Sequence, residues 1–341
     1  MNGATTETSH RGLGWRHGCL TAQRLGAMLA PVTFVLPGGR QVSPLHIAPW
    51  ADDPGSEELP GILRRLRGEW PCVPFGYTMP PEGFTARWSE IMAPAEPDEE
   101  AHGHSANSDW AWQAADSGSL RLSLDYPEAS PVRRVERIVR PDDGAPAIDL
   151  EFRIEVKRPC RLPLGLHPVL RLPVEPGTAR LEPGGFDHGL THPGTVEPGA
   201  ALFAQDRAFD SLERVPSREG GEVDASRVPL RPDIEELLQL NGVDGRFALA
   251  NHAENYRLIL SWNPDHFPSL LLWFSNRGRK MAPWNGNHVA IGVEPICSPF
   301  GLGPATARAD NPISASGTPT VLSFEPDRPF VTRYRIEVEP L

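Results

Sequence analysis

The chain of 341 residues is marked first by what it lacks. No run approaches the ~18 consecutive apolar residues that cross a bilayer, so a membrane is not an expected partner. The four cysteines, at positions 19, 72, 160 and 297, include no CxxC pair. Their wide spacing suits neither a zinc cluster nor a small disulfide scaffold, and they read as reduced thiols. There is no Gly-rich phosphate loop, no HExxH and no GxSxG, and the 11 histidines show no dense ligand spacing. No metal is therefore expected. Basic residues are in deficit, with Lys+Arg 33 against Asp+Glu 44 and a formal net charge of -11. Such a surface repels phosphate backbones and anionic headgroups, which excludes nucleic acid as an expected partner. The apolar stretch Leu25 to Leu36 follows Arg11, Arg16 and Arg24 but runs into Pro37-Gly38-Gly39 without a convincing cleavage site. A strand and a turn are expected there, and the cytoplasm is the expected location.

What is abundant is Gly 32 and Pro 38, which interrupt helices and favour many short strands joined by turns. From Ala147 to Arg158 the apolar Ile148, Leu150, Phe152, Ile154 and Val156 alternate with Asp149, Glu151, Arg153, Glu155 and Lys157, the pattern of a half-exposed antiparallel strand. The alternation recurs at Leu120, Leu122 and Leu124, at Tyr256, Leu258, Leu260 and Trp262, and at Phe330, Thr332, Tyr334, Ile336 and Val338. The pattern predicts an all-β fold, a large antiparallel twisted β-sandwich, since no repeat of constant period marks a propeller. Residues 1–12 are expected to be disordered and 13–341 to form a single domain. Short helices are predicted over Glu57 to Arg67 and over Asp233 to Leu240, the latter from Ile234, Leu237 and Leu238 on one face. Segments 93–108, 173–200 and 214–232 are predicted to be long loops rimming a site.

Three segments carry unusual chemistry: His102 to Trp110, Leu164-Gly165-Leu166-His167-Pro168, and Val289 to Pro295 with its lone Glu294. A carboxylate at the end of a buried strand is desolvated unless it has a partner, and desolvation raises its pKa toward the range of a general base. Paired with a histidine, it can move one proton on and another off a neutral substrate. Trp110, Trp112, Trp273 and Trp284 lie in or beside these segments, and their flat faces can cover the C–H face of a sugar ring. Taken singly, a loop histidine is more often structural and a strand-end tryptophan more often core packing. Asp187, His188 and His192 are assigned to a solvated loop.

Taken in order, these segments resemble the aldose 1-epimerase, or galactose mutarotase-like, superfamily. Leu66-Arg67-Gly68-Glu69-Trp70-Pro71-Cys72-Val73-Pro74-Phe75-Gly76 is similar to the Arg-Gly-Gly-x-Pro…Pro-x-Phe-Gly segment of its hexose-phosphate epimerase branch. His102-Gly103 with Asn107 and Trp110 resembles that branch's His-Gly-Phe-Ala-Arg-Asn-x-x-Trp, and Leu166-His167-Pro168 resembles the His-Pro-Tyr-Phe that carries the general acid. Asp244-Gly245-Arg246-Phe247-Ala248-Leu249 resembles the Asp-His-x-Phe-x-Leu stretch whose Asp binds sugar hydroxyls, and Glu294-Pro295 matches the segment of the catalytic Glu. The chain departs from the pattern at Ala106 in place of Arg, His104-Ser105 in place of Phe-Ala, Val169-Leu170 in place of Tyr-Phe, and Gly245 in place of His. Without that Arg a bidentate phosphate partner is missing, so no strong preference for phosphorylated sugars is expected.

The resemblance implies a mutarotase that interconverts α and β anomers of an aldose without a cofactor. Glu294 would take the proton of the anomeric hydroxyl while His167 gives one to the ring oxygen. His102, Asp244, Arg67, Asn107 and Trp273 would hold the sugar. His167 and Glu294 are expected to face each other across a concave pocket, far enough apart to admit a ring. The alternative is a noncatalytic sugar-binding or sugar-sensing protein on the same fold. A polysaccharide lyase or hydrolase would need a second carboxylate or a tyrosine, and of only 4 tyrosines the nearest, Tyr77 and Tyr126, are not well placed.

Overall fold

A computed structural model of the chain describes residues 8–80, 83–92, 94 and 99–341. Among these, two large antiparallel sheets dominate, one of nine strands and one of eight. The alternating segments build the nine-stranded sheet, in which Tyr256–Trp262, Phe330–Pro340, Ala147–Val156, Val132–Pro141 and Leu120–Asp125 lie side by side. Its inward residues, Leu150, Phe152 and Ile154 among them, share one apolar core with Leu238, Leu272, Phe274, Ile291 and Val293 of the eight-stranded sheet. The all-β sandwich is thus formed as the period-two pattern requires. A four-stranded sheet of His10–Trp15, Gly18–Gln23, Leu29–Val35 and Gln41–Val42 completes the main architecture.

The eight-stranded sheet differs in having both faces covered. Its strands Ile234–Asn241, Ser269–Asn276 and Val289–Cys297 are adjacent, with Leu238 opposite Leu272 and Leu272 opposite Val293 on the inner face. On the other face Leu237 lies opposite Trp273, and Leu271 opposite Glu294. That second face packs into a separate apolar cluster with Trp70, Trp88, Val169, Leu190, Trp284 and Phe300. Double coverage explains why Val289–Cys297 reads as a continuous apolar run rather than an alternation.

Between the sheets lies a fully buried polar knot. Arg137 donates to the Glu69 carboxylate, and the Tyr334 hydroxyl donates to Glu69 Oε1 at 2.7 Å. Arg137 also donates to the Ala27 and Glu69 carbonyls, so the knot ties segment 68–70 to the nine-stranded sheet.

Several sequence expectations are corrected. Asp233 to Leu240 is not a helix: Ile234–Asn241 is a strand, its backbone paired on both sides by His188–Thr191 and Ser269–Asn276. Tertiary pairing overrides the helical spacing there. Glu57 to Arg67 is two 3-10 turns, Pro54–Glu58 and Gly61–Arg65, interrupted before Gly61 by Pro60. Of the segment expected to be disordered, residues 1–7 lie outside the described residues, while His10, Arg11 and Gly12 belong to a strand paired with Gly18–Gln23. Strands Ala179–Pro183 and His188–Thr191 run through the expected loop 173–200. His188 therefore lies on a strand, and His192, instead of being solvated, is 2% exposed. Segment 93–108 includes the helical turn Gly103–Asn107, and 214–232 holds three two-residue strands. No helix among the described residues is long and apolar enough to cross a membrane.

Candidate active site

Glu294 reaches the covered face of the eight-stranded sheet because strand Val289–Cys297 points every second residue there. Its carboxylate needs room, which Gly292 provides. A Cβ at Gly292 would stand 2.5 Å from Glu294 Oε1 and 3.0 Å from Trp273 Cβ. The neighbouring strand Leu164–Leu166 is threaded between Val289–Cys297 and Pro71–Cys72, and Gly165 permits this because a Cβ would meet the Phe75 ring at 2.1 Å. The chain then delivers His167, whose amide donates to the Trp70 carbonyl at 2.9 Å. The His167 ring stacks on the Trp70 indole, with centroids 4.2 Å apart and planes 18° apart.

His167 Nε2 lies 3.5 Å from Glu294 Oε1, and both side chains are buried. The expected gap for a sugar ring between them is therefore absent. The reason is topological: Leu164–Leu166 and Val169–Arg171, which flank His167, both pair with the strand that carries Glu294. His102 joins them, its ring centroid 4.9 Å from that of His167 and 5.0 Å from Phe75. Its backbone is left-handed, with φ 62°, an unusual conformation for a residue bearing a Cβ. The buried Nδ1 atoms of His102 and His167 have no hydrogen-bond partner among the described residues.

Burial governs the protonation of this trio. It pushes the Glu294 carboxyl well above the usual carboxylate range. It pushes His167 well below the usual imidazole range, an effect reinforced by His102, and holds His102 down at about 4. The favoured state is thus uncharged, a carboxylic acid beside a neutral imidazole, because burial penalises both ions. The pair carries one proton and can pass it either way.

The trio lies in a cavity of about 450 Å³, walled also by Trp273 and Trp284. Trp273 is fixed by a 2.6 Å hydrogen bond from its Nε1 to Glu235 Oε1, and Ser275 Oγ donates to Glu235 Oε2 at 3.0 Å. Arg279 Nε lies 3.4 Å from the same Glu235 Oε1, and its guanidinium is centred 4.6 Å from the Trp284 ring. Burial raises the Glu235 carboxyl above its ordinary value, although Arg279 and the two hydrogen bonds oppose it.

Of the residues singled out from sequence, the cavity brings together His102, His167, Trp273, Trp284 and Glu294, and Tyr77, expected to be poorly placed, lines it as well. Three others are absent from its lining. Asp244 instead holds a surface turn, accepting from the Gly185 amide at 2.7 Å and the Arg246 amide at 3.1 Å. Arg67 turns into a different groove, where it donates to Asp52 Oδ1 at 2.6 Å and to the Ala51 carbonyl at 3.2 Å. Asn107 is consumed by the backbone: its Oδ1 accepts from the Ile62 amide at 2.9 Å, and its Nδ2 donates to the Ala101 and Gly103 carbonyls. Trp110 is core, its Nε1 donating to the Ser105 carbonyl. Sequence reasoning missed Trp70 as the platform for His167, although it stands inside a quoted motif. It also missed Glu235 and Arg279, which no local pattern marks. Among the described residues no group of three or more His, Cys, Asp or Glu side chains is placed to hold a metal ion.

No family model matches the chain, and no curated protein sequence matches it. Solved structures do match. The chain is similar to the GalM/aldose epimerase homologue from C. elegans, at 14% identity and a TM-score of 0.65 over 97% of this chain and 99% of that one. A galactose mutarotase-like protein from Lactobacillus casei gives 14% identity and a TM-score of 0.60 over 97% and 100% of the two chains. Another from Clostridium acetobutylicum gives 12% and 0.56 over 97% and 98%. Likeness at such identity speaks to architecture, and on that evidence the chain has the galactose mutarotase-like fold.

Proposed function

We propose that the protein is an aldose 1-epimerase-like isomerase, a single domain that includes the strand beginning at His10, works in the cytoplasm, and opens and recloses a sugar ring by acid-base catalysis. The observation that carries this reading is the buried contact of His167 with Glu294 at the floor of an indole-walled cavity. The two oxygens that exchange protons in anomer interconversion, O1 and the ring oxygen, are both bonded to C1. Adjacent groups therefore serve them better than groups on opposite sides of a ring, and the sugar lies over the pair instead of between its members.

In the forward course Glu294 accepts the O1 proton while His167 gives one to the ring oxygen, and the C1–O5 bond breaks to leave the aldehyde. The pair then holds its proton on Glu294, with His167 neutral. Burial favours that distribution. From the favoured neutral pair the proton first passes from Glu294 to His167, ring opening returns it to Glu294, and rotation about C1–C2 followed by the reverse transfers gives the other anomer. His102 and Trp273 orient the ring. The test is NMR saturation transfer between anomers across free and phosphorylated aldoses, with acceleration of neutral aldoses expected and no strong preference for phosphates. Exchange of none, or only of phosphorylated hexoses, contradicts the reading in whole or in its substrate.

A noncatalytic sugar-binding role would keep the hydroxyl-binding residues without needing both members of the proton pair, so the placement of those residues counts against it. Asp244, Arg67 and Asn107 lie outside the cavity lining, so the hydroxyl-binding set implied by resemblance is not assembled there. Binding of aldoses without faster exchange would select that role.

A further inference from the structure

Among the described residues, polar side chains are few in the cavity beyond the catalytic pair and His102. Glu197, Arg279 and Tyr77 are the others that line it, and Arg279 is engaged by Glu235 and faces Trp284. Ile62, Leu63, Leu66, Met79, Leu237 and Met281 supply much of the remaining surface. A second observation points the same way. Among the described residues the large apolar side chains left exposed are Tyr77, Val174, Met281 and Leu341. Two of these, Tyr77 at 41% and Met281 at 52%, line this one cavity and so stand at its mouth.

From this distribution we infer that the ligand is an aldose bearing an apolar acyl or alkyl substituent away from C1. This rests on the proposed function. The floor offers acid, base and imidazole to the anomeric end of a sugar. A hydroxyl pressed against the buried side chain of Leu66 or Leu271 finds no partner in it, and leaving that hydroxyl unsatisfied weakens binding by about tenfold or more. An aliphatic extension in the same place gains about fourfold for each methylene it buries. At about 450 Å³ the cavity falls in the range of small-molecule sites, and its titratable floor marks it as a ligand site and not a protein-docking face.

The experiment compares a hexose, its 6-deoxy form and its 6-O-butanoyl ester for anomer exchange by NMR saturation transfer. In parallel, calorimetry measures binding of the methyl glycosides of the hexose and of the ester, which cannot open. The expected result is kcat/KM rising through the series by at least tenfold, with the ester glycoside binding correspondingly more tightly. Met281→Ser, at an exposed rim position, is expected to reduce the ester's advantage severalfold. Equal or better exchange of the parent hexose overturns the inference and leaves the epimerase reading standing. Tighter binding of the ester glycoside with no exchange of any sugar supports the ligand class and overturns the enzyme. Equal binding of both glycosides with no exchange overturns both.

Discussion

The faces that the two sheets turn away from their shared core treat charge in opposite ways. On the nine-stranded sheet, Arg335 pairs with Asp149 at 2.9 Å, Arg333 with Glu151 at 2.7 Å, and Arg257 with Glu339 at 3.1 Å. Burial pushes the Glu151 carboxyl up, but hydrogen bonds from Arg153 and Arg333 more than reverse this and hold it below its ordinary value. On the covered face of the eight-stranded sheet, Glu294 has no basic partner among the described residues except the imidazole of His167, and burial alone sets its direction. One face is a ladder of satisfied ions whose chemistry is spent. The other keeps a carboxyl and an imidazole uncharged and uncommitted, which is the condition for moving protons at neutral pH.

The sharpest way to break this contrast is at the pair itself. Glu294→Gln and His167→Asn are each expected to lower anomer exchange by about two to four powers of ten, with much smaller changes in sugar affinity. Exchange in the unmodified protein should follow a bell-shaped pH profile. The working state holds one proton on the pair. The acid limb therefore reports a second proton reaching His167, below the ordinary imidazole range, and the alkaline limb reports Glu294 losing its proton, above the ordinary carboxylate range. This reverses the assignment of limbs that the bare roles of base and acid imply, and both values belong to the coupled pair. Full activity in both variants would remove the enzyme reading.

A second comparison sets the buried knot against the exposed ladder. Arg137→Met leaves the Glu69 carboxyl buried without its cation and is expected to cost about 3–5 kcal/mol in urea unfolding. Arg333→Ala takes away one exposed partner of Glu151, which keeps Arg153, and is expected to cost roughly 0–1 kcal/mol. Comparable losses at the two sites would refute the distinction drawn here.

A smaller effect concerns the neutral histidines behind the cavity. Burial, and then the charge of Arg171, hold His46 down at about 4. The unfolded chain takes up that proton near pH 6.5, so the contribution is complete above this value and is lost as pH falls toward 4. For His46 it is on the order of 3 kcal/mol. His46→Phe preserves an aromatic contact with His288 and should flatten the fall of melting temperature over that interval, measured by calorimetry. The least effect is expected of Asp244→Asn. Its carboxylate caps a turn outside the cavity, so the KM of anomer exchange should not move.

The strands were legible wherever one face met solvent, as in Ala147–Val156, because alternation survives only there. It failed at Ile234–Asn241. Glu235, Glu236 and Gln239 are buried beside Leu238 and Leu240, so polarity no longer reports which face a residue occupies. Glu236, for one, is inside because its carboxylate accepts from the Leu202 and Phe203 amides. At the site, His167 and Glu294 were legible because titratable residues interrupt apolar runs. Asp244, Arg67 and Asn107 were misplaced because a motif fixes residue type and order, while the direction of a side chain depends on the turn that carries it. Glu235 and Arg279 left no trace, being joined only through register across strand Ser269–Asn276 and the turn after it.

The backbone at His102 has a consequence for how this chain tolerates change. A left-handed conformation costs a residue with a Cβ about 1–2 kcal/mol, and here the strain sits on a buried imidazole whose Nδ1 has no partner among the described residues. Glycine or asparagine would relieve it. Stability and activity thus pull position 102 toward different residues, and a variant library ranked first by heat resistance and then by turnover should return two different orders, with histidine leading only the second.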